Sequence, residues 1–173
     1  FTGSALLAIV GTWAGLELVV LRSGVVPPWF LAATITLGVL HGAYYLGYLP
    51  TFPEHRELHA QWTLAWNLKW FQGLLGYTIV GAFAAWRLRT RARLRETLSQ
   101  SPNRLVVVWL LVTLALENHD LFVENPIQPL HFTRGHSWTA LFLLGVPAIT
   151  ACFRRLRGGV PAASVVITCG LLS

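Results

Sequence analysis

Long apolar blocks, each of about 15 to 25 residues and separated by short polar stretches, occupy most of this chain. An apolar helix of that length crosses the hydrocarbon core of a bilayer, so the pattern predicts transmembrane helices. Hydrophobic residues make up 54% of the 173 positions and charged residues only 12%. A soluble domain carries about twice that charged fraction. The composition therefore excludes a disordered chain, a disulfide-rich secreted domain and a soluble nucleic-acid-binding protein.

The predicted fold is all-α: a polytopic transmembrane helical bundle, with a single transmembrane domain over residues 1–173. Proline and glycine clusters mark the breaks between five full spans and a partial sixth. The spans are predicted at roughly 4–21, 28–49, 62–86, 104–124 and 137–153, with the short sixth at 160–173. The first residue is Phe1 and the last stretch is apolar, so we expect the chain to be a fragment of a longer one.

The arginines set the predicted orientation. The loop 87–95 carries five of them, 154–157 carries three more, and Arg22 follows the first span. Short loops rich in Lys and Arg stay in the cytoplasm, so these three loops are predicted to be cytoplasmic and the loops 50–61 and 125–136 to face outward. The predicted location is a bacterial inner membrane. Contact of the arginine run with anionic lipid is an alternative to a pure topology signal.

This orientation gathers the ionisable groups at the outer face. All six histidines and five of the seven acids then lie on the outer side. Glu117, Asp120 and Glu124 are spaced i, i+3 and i+7, which predicts that they share one face of the fourth span. Three carboxylates on one face repel each other, so they need a cation, a proton or a basic partner such as Lys69 or Arg134.

The loop that follows leads into the fifth span and carries His131 and His136. We predict that Asp120, Glu124, His131 and His136 converge on one outward-facing cavity, with Glu117 below them. Imidazole and carboxylate groups suit a transition metal such as copper, iron or zinc, and these four residues are the predicted metal ligands. Asp120, Glu124 and His136 are the predicted catalytic residues.

Two other interpretations of the same residues stay open. The first is a site for an anionic lipid headgroup or a metal-chelated phosphate, held by Arg134 with its flanking histidines, His131 and His136. The second is structural: Glu117 or Asp120 pairs with Lys69, and the other polar groups form a solvated rim.

The stretch Phe132-Thr133-Arg134-Gly135-His136 resembles the Phe-Thr-x-x-His element of the C subunit of copper membrane monooxygenases, the particulate methane and ammonia enzymes. The resemblance runs from Glu117 to Thr150, about a fifth of the chain, and implies a metal ligand at His136. The Asp-x-x-x-His ligand pair of that family is not matched. Counted from Asp120, the position of the histidine holds Glu124, and an ungapped match places Val123 there instead.

The leading functional hypothesis is a membrane-embedded enzyme, or a catalytic-type subunit, with a metal-dependent site at the outer face. The alternative is a non-catalytic helical subunit of a larger membrane complex that binds a neighbour, a pigment, a quinone or a lipid. An enzyme acting on a lipid-linked phosphate and a transporter are further hypotheses. The expected partners are the lipid bilayer and other membrane subunits, and no nucleic acid.

Overall fold

Helices with short connections make up the part of the chain that the computed structural model describes, which is residues 2–57, 78–121 and 136–157. No β-strand occurs within these ranges, so the all-α prediction is confirmed for them. The helices with defined bounds are, in chain order, α1 (Thr2–Gly15), α2 (Pro28–Gly42), α3 (Thr78–Leu88), α4 (Arg91–Ser99), α5 (Ser101–Glu117) and α6 (Trp138–Arg157).

Two helices are longer than their α-helical parts. The α1 helix continues as a π-helix over Leu16–Val20. The α2 helix continues as a π-helix over Ala43–Tyr48 and then as a 3-10 turn over Leu49–Thr51. The continuous helical segments therefore reach the lengths that the apolar blocks predict.

The helix starts follow local sequence signals. Pro28 opens α2 after an extended Pro27, and a proline also stands in the first turn of α5. Proline suits these positions because the first backbone N–H groups of a helix have no partner inside it. Between α1 and α2 the chain reverses through Arg22 and Gly24, which both have positive φ angles of 48° and 72°. The break predicted between the first two spans is therefore confirmed.

Helix packing gives the bundle two chemically different ends. The α1 helix packs against α2 and α5, and α6 packs against α3 and α5. Glu17 near the end of α1 contacts Ser101 and Arg104 at the start of α5, so these two helices run in opposite directions. We call this the arginine end, formed by the end of α1, α4 and the start of α5. The histidine end is formed by the start of α1, the second half of α2, the end of α5 and the start of α6.

The contact between α3 and α6 depends on small residues. Ala84 of α3 is buried, and a Cβ atom added to Gly145 of α6 would lie 3.1 Å from the Val80 carbonyl oxygen and 3.6 Å from the Ala84 backbone nitrogen. The Arg87 guanidinium donates to the Leu144 carbonyl oxygen across the same contact, at 3.0 Å. Backbones that approach this closely are typical of helix pairs in membranes.

Two helical segments of the described chain, Gly3–Val20 and Pro28–Thr51, are long and apolar enough to cross a membrane. They correspond to the first two predicted spans. The predicted fifth span forms a shorter apolar helix, Trp138–Arg154. The fourth differs from its prediction, because α5 ends at Glu117 rather than near 124. Most of the third predicted span and all of the sixth lie outside the described residues.

We predict that Gly145→Ala destabilises the protein by about 1 kcal/mol or more, because the added methyl group meets backbone that cannot rotate away. The matched control is Gly38→Ala, where an added Cβ meets no atom within 4 Å in the described structure. That variant should be neutral or slightly stabilising, because alanine favours a helix over glycine. Thermal unfolding in detergent measures both, and equal melting temperatures for the two variants would contradict the close contact.

Candidate functional site

The end of α5 forms the described part of the predicted outer site. The α-helix stops at Glu117, and Asn118 leaves helical geometry with φ −110° and ψ 20°. A 3-10 turn over His119–Leu121 follows. The side-chain amide of Asn118 donates to the Leu114 carbonyl oxygen at 2.7 Å, and the backbone N–H of Asn118 donates to the same oxygen at 3.2 Å.

This ending corrects one premise of the sequence analysis. The fourth span was expected to stay α-helical through Asp120, but the α-helix ends at Glu117 and a 3-10 turn follows. The shared face of Glu117 and Asp120 stays a prediction, because the side chain of Asp120 lies outside the described structure. Local competition explains the difference: asparagine side chains bond readily to nearby backbone groups and favour helix ends over helix interiors.

The structure brings the end of α5 and the start of α6 together at Glu117. Glu117 is 9% exposed, and its Oε1 accepts a hydrogen bond from the hydroxyl of Ser137, which is fully buried. His136 directly precedes this serine and is half-buried. The structure therefore places Glu117 next to the residue that follows His136.

The other predicted residues lie outside the described structure. These are Glu124, His131, Lys69, Arg134 and the side chain of Asp120. The described residues contain no group of three or more His, Cys, Asp or Glu side chains that could hold a metal. Since three of the four predicted ligands are not among those side chains, the four-ligand site stays a prediction.

A second polar cluster, at the arginine end, was missed by the sequence analysis. Glu17 is fully buried, and its carboxylate binds the Arg104 guanidinium through two parallel contacts. The Arg104 Nε lies 2.6 Å from Glu17 Oε1 and the Nη2 lies 2.7 Å from Oε2. Two serine hydroxyl groups also donate hydrogen bonds to this carboxylate. Ser101 donates to Oε1 at 2.7 Å and Ser23 donates to Oε2 at 2.6 Å.

The remaining side of the Arg104 guanidinium faces the end of α4. Its Nη1 donates to the carbonyl oxygens of Leu98 and Ser99, at 2.8 and 2.9 Å. One side chain thus joins α1, α4 and α5. A signal for this cluster was available, because Glu17 is the only charged residue in the first apolar block. A lone carboxylate in such a block requires a cation as a partner.

A cleft between α1 and α2 is the third feature with binding potential. Its volume is about 510 Å³, and its walls are mainly apolar. Ser4 Oγ and His41 Nε2 form a hydrogen bond of 2.7 Å on its wall, and the ring of Tyr45 lies 4.5 Å from the imidazole, centroid to centroid. Pockets of this size, apolar with a few polar groups, are typical of small-molecule sites.

No family model, no curated protein and no solved structure matches this chain. The likeness to the copper monooxygenase C subunit therefore rests only on the segment from Glu117 to Thr150. Function must be argued from the described contacts themselves.

We predict that Glu17→Gln destabilises the protein by about 3–5 kcal/mol, because it leaves the Arg104 guanidinium buried without its counter-charge. Arg104→Gln should have a similar effect. The double variant should lose clearly less than the sum of the two, since neither buried charge is then left alone. Denaturant unfolding in mild detergent measures the three values.

Arg93→Gln is the control for this prediction. Its guanidinium lies 3.9 Å from the Glu96 carboxylate, and both side chains are more than two-thirds exposed. Exposed pairs contribute little, so this variant should unfold like the unaltered protein. Strict additivity of the Glu17 and Arg104 variants would show that the buried contact carries no coupling.

Proposed function

We propose that this chain is an integral membrane protein whose helices cross a bacterial inner membrane, with five full spans and a partial sixth. The support is the surface of the first two helical segments. Only 22% of the Gly3–Val20 window and 6% of the second are buried inside the protein. The core helix of a soluble protein is mostly buried, whereas side chains such as Val39 and Leu46 here are 65% and 78% exposed. Lipid or a neighbouring apolar subunit is the environment that suits such a surface.

The proposed orientation places the arginine end in the cytoplasm and the histidine end outside. It follows from the arginine-rich loops and agrees with the helix directions. Arg22 after α1 and Arg104 at the start of α5 belong to the same end, as alternating spans require.

The function that we propose is a membrane-embedded enzyme or catalytic-type subunit with its site at the histidine end. The observation that carries it is the contact of Glu117 with Ser137, which holds the end of α5 against the start of α6. Asp120 follows Glu117 by one short turn, and His136 precedes Ser137. This contact supports the proposal that the carboxylate and imidazole groups of the two segments meet at the outer surface. An ionisable group inside a membrane bundle is costly and commonly serves function.

The donor set defines the proposed chemistry. Asp120, Glu124, His131 and His136 would hold a transition metal, copper, iron or zinc, which acts as a Lewis acid or redox centre when bound. One described contact supports this donor set. The buried Glu117 carboxylate lies next to the segment of His136, where it can accept a proton or orient a metal ligand. The catalytic residues proposed are Asp120, Glu124 and His136.

A second candidate function is favoured by the cleft between α1 and α2. A non-catalytic subunit of a membrane complex would use it to hold a quinone, a pigment, a lipid or a neighbouring helix. The Ser4–His41 pair supplies the polar contact that such a ligand needs within apolar walls.

Metal content separates the two candidates. The full chain is purified from membranes with a tag free of histidine, stripped with a chelator, reloaded with copper, zinc or iron, and analysed for bound metal. We predict about one retained equivalent, its loss in His136→Ala with the melting temperature preserved, and its retention in His41→Ala.

The two variants report on the two candidate functions. Metal at background level in the reloaded protein, or equal metal in His136→Ala and the unaltered protein, would contradict the metal site. Loss of a co-purifying quinone or lipid in His41→Ala alone would favour the second candidate.

A further inference from the structure

The exposed face of α4 is a basic surface that the proposed outer site does not use. Arg91, Arg93 and Arg95 are exposed, while Thr97, which lies on the side of the helix opposite Arg91 and Arg95, is 4% exposed. Arg91 and Arg95 are spaced i, i+4, so their side chains are neighbours on one helix face. The helix therefore turns a polar side to the protein and presents paired guanidinium groups outward.

Few acids are available to neutralise this face. Glu96 lies near Arg93, and Glu17 is occupied by Arg104. The other five acids of the sequence belong to the segments 54–57 and 117–124, on the opposite side of the membrane in the proposed topology. Within the described residues, no carboxylate lies within 4.0 Å of Arg91 or Arg95. Their positive charge is left for a partner outside the chain.

Both ends of α4 are fixed, so the basic face has a defined position. At its start, the Thr90 hydroxyl accepts a hydrogen bond from the backbone N–H of Arg93 at 3.2 Å. At its end, Arg104 binds the Leu98 and Ser99 carbonyl groups. Since Arg104 also holds Glu17 near the end of α1, α4 lies at the level where α1 ends and α5 begins. In a bundle that spans a bilayer, this is the level of the phosphate groups.

We propose that Arg91 and Arg95 of α4 bind the phosphate of an anionic lipid headgroup on the cytoplasmic side. This inference rests on the proposed membrane insertion. Guanidinium groups match phosphate oxygens with two parallel hydrogen bonds, and anionic lipids attract arginine near the surface. A lipid is favoured over a soluble anion because the leaflet presents phosphate groups continuously at this level.

The test uses the full chain in a neutral detergent, titrated with phosphatidylglycerol. Arg91→Gln/Arg95→Gln should weaken binding about 30-fold, since each arginine near the surface contributes about 1 kcal/mol. The control is Arg22→Gln/Arg154→Gln, which removes the same charge from the same proposed side but outside α4; both residues are exposed. This control should retain most of the affinity. Melting temperatures without lipid establish that each variant folds.

Two further titrations identify the source of the phosphate. Phosphatidylcholine and inorganic phosphate should each bind far more weakly than phosphatidylglycerol. Equal loss of affinity in both double variants would show a diffuse charge effect and overturn the proposal, as would unchanged affinity in Arg91→Gln/Arg95→Gln. Membrane insertion is tested separately with an alkaline carbonate wash. Release of the chain from membranes by this wash would show that it is not inserted.

Discussion

The buried pair of Glu17 and Arg104 is the contact on which the arrangement of the described helices depends. An unpaired charge costs several kcal/mol in a low-dielectric interior, and here both partners are enclosed by hydrogen bonds. Each oxygen of the carboxylate has a guanidinium contact and a serine hydroxyl, and the remaining guanidinium nitrogen binds two carbonyl groups. The pair can only be satisfied when α1, α4 and α5 meet at one place. It therefore selects one arrangement of these helices.

This constraint gives each end of the bundle a separate role. At the arginine end, opposite charges are paired inside and like charges face outward on α4, which suits a surface against anionic lipid. At the histidine end, Glu117 and Ser137 join α5 to α6, and Ser4 joins α1 to His41 of α2.

The sequence predicts the helices well because their signals are local. Apolar block length, Pro28 and the reversal near Gly24 each act within a few residues, and the first two helices match their predicted spans. The Glu17–Arg104 pair joins residues 87 positions apart, so no periodicity in one span reveals it. The lone carboxylate in the first block indicated that a partner existed. It did not indicate which of the arginines was the partner.

Composition and orientation suggested the proposed outer site, and the structure changes one assumption about its geometry. Orientation from the arginine loops gathers the histidines and acids, and the contact of Glu117 with Ser137 agrees with that grouping. The α-helix assumed to continue past Glu117 is interrupted there, since Asn118 leaves helical geometry. Sequence spacing gives a shared face only while one helix persists, and a polar residue near a membrane surface readily ends it.

The central claim is that the arginine end and the histidine end lie on opposite sides of a membrane. Single cysteines at Ala92 on α4 and at Leu121 beyond α5, both exposed, test it in a chain whose own cysteines are replaced. In intact cells, a membrane-impermeant maleimide should label the Leu121 position and reach the Ala92 position only after the membrane is opened. Labelling of both positions from the same side in intact cells would contradict the account.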